Sequence, residues 1–389
     1  MAMEITSYDL LFKILRSVIF DRSDLSFDKS EITSEQLTEI IKLADKHDLG
    51  HLVNYAIEKH NLIDKESDEY KSTSKSIMKA IYRYTQQDYV YNQVIDLFEE
   101  EGIDFIPLKG AVLRNFYKEA WMRTSCDIDI LINEKDLKNA VFLLQDKLEF
   151  KSDEKKNYHD ISLYSPSGVH LELHFNIQEG IDNLDKVLSK VWEYTNLKEG
   201  KKHFYEMSNE FFAFHIIAHM AYHFVKGGCG IRPIMDLFLY NKQVSVNQDE
   251  LNQLLKNANL VKFYEHILSL SNVWFANKEH NELTIEMERY VLGGGVYGTN
   301  TNRITLARQK EGKIKYILSR IFMPYEQLKN AYPIIIKHKW LTPFMQIARW
   351  FKLLNPKKAK KSIDEIKISN NIDTDNTSAL KNLLDDLEL

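Results

Sequence analysis

The spacing of apolar residues predicts helices in both flanking regions of the chain and short strands between them. Residues 7–20 have apolar side chains at helical spacing, and further helices are predicted up to Glu101. The pattern then changes, because IDFIPLKG and RTSCDIDILI are short apolar runs bordered by turn residues, which is typical of strands. Residues 207–290 return to helical spacing, with two helices predicted around the loop Gly227–Gly230.

The central segment predicts a small mixed sheet. A helix, AVLRNFYKEA, is predicted after the first strand, and NEKDLKNAVFLLQDKL is predicted to form another after the second strand. DISLYSPSGVHLELHF then predicts a hairpin that turns at Pro166, Ser167 and Gly168. The fold class expected is therefore α+β, with the sheet flanked by mainly helical N- and C-terminal regions.

The same pattern predicts four regions along the chain. Residues 1–102 are expected to be helical, 103–206 to form the mixed α/β domain, and 207–365 to be helical again. Residues 366–389 are expected to be a polar tail with a short amphipathic helix, which either docks back or binds a partner.

Composition narrows the functional class. The 389 residues are 44% hydrophobic and 28% charged with a net charge of −5, which is typical of a soluble protein and disfavours a nucleic-acid partner. Two cysteines give no disulfide framework, which indicates a reducing compartment. The apolar run LLFKILRSVIF is interrupted by Lys13 and Arg16, and no other run is long enough for a membrane span, so a cytoplasmic location is expected.

Two aspartates in the second predicted strand are the first candidates for chemistry. Asp127 and Asp129 are two residues apart, so their side chains point to the same face of a strand whose other residues are apolar. Two like charges in such a place need a neutralising partner, and Mg²⁺ favours a few carboxylates together with phosphate oxygens. The alternative is a solvated pair at the end of a strand.

Two further elements carry polar side chains that suit phosphate chemistry. In HLELHF, His170, Glu172 and His174 share one face of a strand. Glu172 is then either a third carboxylate beside the two aspartates or part of an exposed polar face on an edge strand. Lys109 and Gly110 lie where a strand turns into a helix, a position that attracts anions and permits close approach of the backbone. The alternative for Lys109 is a surface lysine beside an ordinary turn.

These motifs together resemble a known superfamily. LKGAVLRNFY, RTSCDIDIL and HLELHF are similar to the nucleotidyltransferases related to DNA polymerase beta, and closest to the bacterial uncharacterised nucleotidyltransferase family. The resemblance implies transfer of NMP from an NTP to a hydroxyl acceptor with release of pyrophosphate. It implies catalytic and metal-binding roles for Asp127, Asp129 and Glu172, with two Mg²⁺ ions, or Mn²⁺, as cofactors. Glu172 is either a metal ligand or the general base.

The chain also departs from the superfamily pattern. Gly110 is followed by Ala111 where the superfamily usually has serine, so Lys109 is expected to supply the missing phosphate contact. The departure favours the alternative of a non-catalytic nucleotide-binding or interaction module on the same fold. The acceptor stays open among small molecules, sugar or lipid intermediates, protein side chains and RNA ends.

Four more residues are expected to bind nucleotide or substrate: Arg123, His174, His219 and Arg232. Arg123 either neutralises the transferring phosphoryl group or pairs with one of the strand aspartates. Arg232 lies four residues before Asp236 on a predicted helix, so either the two pair or Arg232 lines the cleft with the substrate.

Two alternatives concern other parts of the chain. His215, His219 and His223 share a helix face, and two of them with distant ligands such as Asp236 would suit a zinc-dependent phosphohydrolase. Residues 337–361 are basic and aromatic without an acidic residue, which suits peripheral contact with a membrane surface. The alternative for this segment is a core helix with solvated lysines.

Overall fold

The computed structural model describes most of the chain. The described residues are 6–20, 27, 32–64, 66, 68–156, 159–296, 298–311, 319, 322–325, 328–329, 332, 334–353, 365 and 374–389.

Sixteen helices and seven strands are named here in chain order. The helices are α1 Ser7–Ile19, α2 Ser34–Lys46, α3 Gly50–Lys59, α4 Asp68–Glu101, α5 Lys109–Leu113, α6 Leu137–Leu148, α7 Asp182–Leu188, α8 Asn209–Lys226, α9 Ile231–Gln243, α10 Gln248–Asn257, α11 Val261–Ala276, α12 Glu282–Gly294, α13 Asn300–Glu311, α14 Ile334–Lys337, α15 Thr342–Leu353 and α16 Thr374–Asp386. The strands are β1 Phe105–Pro107, β2 Asp127–Ile132, β3 Lys151–Lys156, β4 Asp160–Tyr164, β5 His170–His174, β6 Thr195–Leu197 and β7 Tyr205–Met207.

Five of the strands form one mixed sheet in the order β1-β2-β5-β4-β3. The β2–β5 pair is parallel, whereas β1–β2, β4–β5 and β3–β4 are antiparallel. The β4–β5 hairpin turns where the sequence predicted it, at residues 165–169. The expected α+β class, with a mixed sheet flanked by helices, is confirmed.

One face of this sheet packs against helices α4 and α6. Ile128 and Ile130 of β2 and Leu171 and Leu173 of β5 are buried in a cluster with side chains of these two helices. Because side chains alternate along a strand, the residues between them point to the opposite face. The apolar face therefore fixes the direction of the polar side chains that carry the chemistry.

The chain divides into two compact units. The first unit consists of Met1–Tyr222 and Gly230–Val296 and holds the five-stranded sheet, the β6–β7 hairpin and helices α1 to α12 except the last turn of α8. The second unit consists of His223–Cys229 and Tyr297–Leu389 and holds helices α13 to α16. The four regions derived from the sequence stay a prediction.

The structure differs from the predicted elements at several places. Strand β3 and the β6–β7 hairpin were not predicted, because Lys151–Lys156 contains no apolar residue and the hairpin strands have three residues each. The prediction that AVLRNFYKEA forms one helix is wrong for most of this segment. Helix α5 ends at Leu113, and Tyr117 is extended, which directs its side chain to a buried hydrogen bond described below.

Helix α16, Thr374–Asp386, lies in the tail, where the sequence predicts a short amphipathic helix. Leu380, Leu383, Leu384 and Leu387 are buried, and the helix packs against α13 within the second unit. The polar segment before it, 366–373, lies outside the described residues. Within the described part of the chain, every helix is too short or too polar to cross a membrane.

Burial of β5 predicts which apolar residues stabilise the first unit. Leu173 is fully buried between strands, whereas Leu197 on β6 is about half exposed. We expect Leu173→Ala to lower the free energy of unfolding by about 2–5 kcal/mol, because the cavity adds to the lost transfer energy. The matched change Leu197→Ala should stay within about 0.5 kcal/mol. Urea unfolding measures both, and equal losses would contradict the packing described.

Candidate active site

Parallel pairing of β2 and β5 brings three carboxylates to one face of the sheet. Asp127 lies opposite His170, and Asp129 lies opposite Glu172. Potential ligand atoms of Asp127, His170 and Glu172 lie within 4.8 Å of one another, and so do those of Asp129, Glu172 and His174. Glu172 belongs to both groups, so the two share one carboxylate. The sequence predicted this arrangement of Asp127, Asp129 and Glu172.

Asp129 is the most strongly neutralised of the three. It is buried, with its Oδ1 atom 2.9 Å from His174 Nε2 and 3.6 Å from Lys109 Nζ. Burial acts to raise its pKa, but Lys109 and the hydrogen bond from His174 outweigh burial, so the pKa lies well below its usual range. Asp129 is therefore ionised at neutral pH.

Asp127 has the opposite electrostatic environment. Burial and the neighbouring charges of Asp129 and Glu172 raise its pKa to about 6, although Lys109 and His170 act against them. When Asp127 is ionised, the carboxylates of Asp129 and Glu172 therefore repel it. A divalent cation would relieve that repulsion.

His174 links two of the carboxylates. Its Nε2 atom is 3.5 Å from Glu172 Oε2 as well as 2.9 Å from Asp129, and its Nδ1 atom has no hydrogen-bond partner among the described residues. Burial acts to lower the pKa of His174, but the two carboxylates raise it. The hydrogen bond from His174 in turn lowers the pKa of Glu172. His174 thus orients Asp129 and Glu172, a position consistent with the sequence prediction that it lies at the substrate site.

The donor set fits a hard divalent cation. Three carboxylates offer the oxygen ligands that Mg²⁺ and Mn²⁺ prefer, and the imidazoles of His170 and His174 are compatible with Mn²⁺. Lys109 is the one ammonium group paired with Asp129 in the described part of the chain. The arrangement can hold a cation while leaving coordination positions for phosphate oxygens.

The turn between β1 and α5 brings Lys109 to this face. Lys109 has a positive backbone φ of 38°, an uncommon conformation for a residue with a side chain, which costs on the order of 1–3 kcal/mol. Gly110 follows it, and a Cβ atom there would lie 2.6 Å from Arg123 Nη1. Glycine at this position therefore permits the close approach of the Arg123 guanidinium.

One of the two hypotheses for Arg123 was that it pairs with Asp127 or Asp129. This hypothesis is wrong, because Arg123 pairs with Asp236 on α9. Its Nη2 atom donates to Asp236 Oδ2 at 3.0 Å, and the Tyr117 hydroxyl donates to Asp236 Oδ1 at 2.7 Å. The Arg123 and Asp236 side chains are 9% and 2% exposed. This buried pair attaches the loop before β2 to helix α9, so Arg123 lies beside Gly110 in a fixed position.

The predicted pair of Arg232 with Asp236 is wrong. Arg232 Nη1 donates instead to Asp48 Oδ2 at 2.8 Å and to the Thr124 carbonyl oxygen at 3.0 Å. Arg232 and Asp236 both lie on α9, but each pairs with an oppositely charged residue from another part of the chain. Arg232 thereby connects α9 to the α2–α3 turn and to the loop that leads into β2.

Helix α8 contributes a histidine next to this charged face. His219 Nδ1 is 2.6 Å from Glu179 Oε1, and its electrostatic partners include Lys109, Asp129 and Arg123. Burial lowers the pKa of His219 well below its usual value. His215, one turn earlier, is buried, and burial lowers its pKa to about 3.

The zinc hypothesis receives no support from the described residues. Neither candidate group of metal ligands among them includes His215, His219, His223 or Asp236. Asp236 is bound to Arg123 and Tyr117.

Three residues of the site were not selected from the sequence. His170 shares the face of Glu172, so the two-residue spacing was an available signal. Tyr117 and Glu179 lie in irregular segments, where no periodicity indicates which way a side chain points. Only their contacts with Asp236 and His219 identify them.

The buried pair of Arg123 and Asp236 predicts a large stability effect. Asp236→Asn should lower the free energy of unfolding by about 3–5 kcal/mol, because it leaves a buried guanidinium without a counter-charge. Glu206→Gln removes the same kind of group from the exposed Lys198–Glu206 pair and should cost about 1 kcal/mol or less. Urea unfolding of the two variants distinguishes these effects, and similar losses would contradict a desolvated pair.

Comparison with known proteins agrees with the architecture of this site. No curated protein matches the chain at a significant level. The sequence model of the uncharacterised nucleotidyltransferase family matches residues 33–276, more than half of the chain, and spans the sheet, all three carboxylates and helices α8 and α9. The chain therefore belongs to the uncharacterised nucleotidyltransferase family.

Proposed function

We propose that this protein transfers a nucleoside monophosphate from a nucleoside triphosphate to a hydroxyl acceptor and releases pyrophosphate. The observation that carries the proposal is the cluster of Asp127, Asp129 and Glu172 on adjacent parallel strands. A cluster of like charges is costly to maintain, and a protein that only needed the fold would have no use for it. Family membership supports the same conclusion.

Asp127, Asp129 and Glu172 would hold Mg²⁺, as two ions, or Mn²⁺ in its place. The bound cation would supply electrostatic stabilisation of the triphosphate and of the pyrophosphate leaving group. His174 keeps Asp129 and Glu172 oriented through its Nε2 atom. The carboxylates are thereby arranged before the nucleotide binds, which is the usual source of electrostatic catalysis.

Lys109, Gly110 and Arg123 would contact the phosphates. The Lys109 ammonium lies 3.6 Å from Asp129. It would therefore reach a phosphate bound to a cation at that carboxylate. Gly110 allows the backbone and the Arg123 guanidinium to come close together. Arg123 keeps its contact with Asp236, so its charge would act on the phosphates from a fixed position.

His219 would face the acceptor, and Arg232 would support the cleft beside it. His219 interacts electrostatically with Asp129 and Lys109, which favours a role at the acceptor side of the reaction. Arg232 is bound to Asp48 and Thr124, so we assign it the role of holding the loop before β2 in place around the substrate. The alternative is a non-catalytic module that binds nucleotide on the same fold, which the replacement of serine by Ala111 favours.

Nucleotide binding tests the proposal. We expect the purified protein to bind one of ATP, CTP, GTP or UTP in the presence of Mg²⁺ or Mn²⁺, as measured by titration calorimetry. Asp127→Asn/Asp129→Asn should weaken metal-dependent binding by at least tenfold, because the cation loses two ligands. Asp146→Asn/Asp182→Asn removes the same charge from exposed positions and should leave binding unchanged.

Absence of triphosphate binding under every metal condition would sink the proposal. Binding that the Asp127 and Asp129 changes leave intact would reject the metal site. Nucleotide binding without transfer to any acceptor, and so without release of pyrophosphate, would favour the non-catalytic module.

We also propose peripheral membrane contact through the described part of the segment 337–361. Trp340, Phe344 and Phe351 are 68%, 57% and 68% exposed, and this region contains no acidic residue. Exposed aromatic side chains next to lysine and arginine suit the interface of an anionic bilayer. The rest of the segment, 354–361, lies outside the described residues.

Vesicle sedimentation tests this contact. The protein should sediment with phosphatidylserine-containing vesicles more than with phosphatidylcholine vesicles, since both apolar contact and charge contribute. Trp340→Ser/Phe344→Ser/Phe351→Ser should abolish the difference. Tyr82→Ser/Tyr89→Ser alters equally exposed aromatic residues on α4 and should preserve it. Equal sedimentation with both vesicles would exclude the contact.

A further inference from the structure

We infer that His219, held by Glu179, is the general base that removes the proton from the acceptor hydroxyl. The inference rests on the proposed function and deepens it, because that function leaves open whether Glu172 or another group accepts the proton. It assigns Glu172 to the metal and gives the acceptor its own catalytic residue.

His219 and Glu179 form a dyad with the geometry of an oriented base. His219 Nδ1 lies 2.6 Å from Glu179 Oε1. When Nδ1–H donates to a carboxylate, the basic lone pair of a neutral imidazole lies on Nε2. The carboxylate also stabilises the imidazolium that forms when Nε2 accepts a proton, as in other hydrolase and transferase sites.

The segment that carries Glu179 is itself held in place. The backbone N–H groups of Glu179 and Gly180 donate to Asp185 Oδ1 and Oδ2 at 2.8 and 3.1 Å. Asp185 lies in the first turns of α7. Glu179 is therefore fixed relative to α7, while His219 is fixed by α8. Such support from surrounding groups is what a catalytic dyad requires to keep its orientation.

Charged groups of the sheet lie within electrostatic range of the dyad. The groups that act on His219 are Lys109 from α5, Asp129 from β2, His174 from β5 and Arg123 from the loop before β2. Glu179 acts on Lys109 in the same way. The imidazole would therefore lie near a triphosphate bound at the carboxylates. Burial lowers the pKa of His219, which favours the neutral form that accepts a proton.

The unpartnered ring nitrogens of His215 favour a place for a polar molecule beside α8. It is buried, its ring centroid is 6.4 Å from that of His219, and neither of its ring nitrogens has a hydrogen-bond partner among the described residues. Buried polar atoms without partners are uncommon, and a catalytic role or a bound water is among the explanations for them. An acceptor at this position would lie beside His219.

Glu172 is less suited to take the proton. It belongs to both groups of potential metal ligands, one with Asp127 and His170 and one with Asp129 and His174. A carboxylate shared between two such groups would be occupied as a ligand once a cation binds. The dyad of His219 and Glu179 belongs to neither group.

The proposed step is balanced. The acceptor O–H bond breaks and its proton passes to His219 Nε2, while the acceptor oxygen forms a bond to the α-phosphorus. The bond from the α-phosphorus to the bridging oxygen breaks, and pyrophosphate leaves with that electron pair. His219 then returns the proton to solvent.

Pyrophosphate release by the full-length, metal-saturated protein tests the assignment, with the triphosphate that binds and with water or glycerol as the acceptor probe. His219→Ala should lower kcat by about 10²- to 10⁴-fold while the nucleotide Kd changes less than about threefold. Added imidazole should restore part of the rate, which loss of a purely structural contact would not allow. Glu179→Gln should lower kcat less than His219→Ala does. It provides the test if His219→Ala fails to fold.

A second histidine–carboxylate pair provides the matched control. His203 Nδ1 lies 2.8 Å from Asp104 Oδ1, with exposure of the imidazole close to that of His219. His203→Ala should leave kcat unchanged, and imidazole should have no effect on it.

A spectroscopic measurement separates this inference from the proposed function. Long-range ¹H–¹⁵N spectra of the ligand-free protein should show His219 neutral at pH 7 with the proton on Nδ1. A charged or Nε2-protonated ring would overturn the inference whether or not nucleotide binds. Full activity of His219→Ala, lack of rescue, or nucleotide binding without turnover of either probe would also overturn it and leave the nucleotide site standing. Absence of nucleotide binding would instead overturn the proposed function.

Discussion

Repulsion among three carboxylates is the constraint on which the rest of the candidate site depends. Asp127 and Asp129 on β2 and Glu172 on β5 point to the same face, because parallel pairing puts Asp129 opposite Glu172. Like charges directly opposite each other destabilise a sheet. The protein tolerates them because the other face of the same strands is anchored by apolar packing against α4 and α6. The strands cannot turn the carboxylates away without exposing that core.

The surrounding elements respond to this charge in different ways. Lys109 adopts an uncommon backbone conformation and lies beside Asp129, while His174 bonds to Asp129 and approaches Glu172. Asp127 is left with a raised pKa, because burial and the charges of Asp129 and Glu172 outweigh those of Lys109 and His170. The two aspartates of β2 therefore differ, since the pKa of Asp129 is lowered and that of Asp127 is raised. A cation bound between them would offset the repulsion that acts on Asp127.

Helices α8 and α9 connect the helical part of the first unit to the sheet through polar contacts. Asp236 on α9 binds Arg123 and Tyr117, and Arg232 on α9 binds Asp48 and Thr124. These contacts fix the loop immediately before β2, whose position determines where Asp127 begins the strand. His219 on α8 adds an imidazole that is paired with Glu179. The helical regions therefore do more than cover the sheet, because they supply charges that the small sheet lacks.

The sequence by itself determined the α+β class, the hairpin before Glu172 and the spacing of Asp127 and Asp129. These features depend on local periodicity, since alternation along a strand fixes which side chains share a face. The partners of Arg123, Arg232 and His219 were decided only by the tertiary structure. Sequence spacing suggested that Arg232 would pair with Asp236, four residues away on the same helix, but each found a partner on another element. Charged side chains buried between elements pair with whatever opposite charge the packing brings near, and that distance is not encoded in the spacing along one helix.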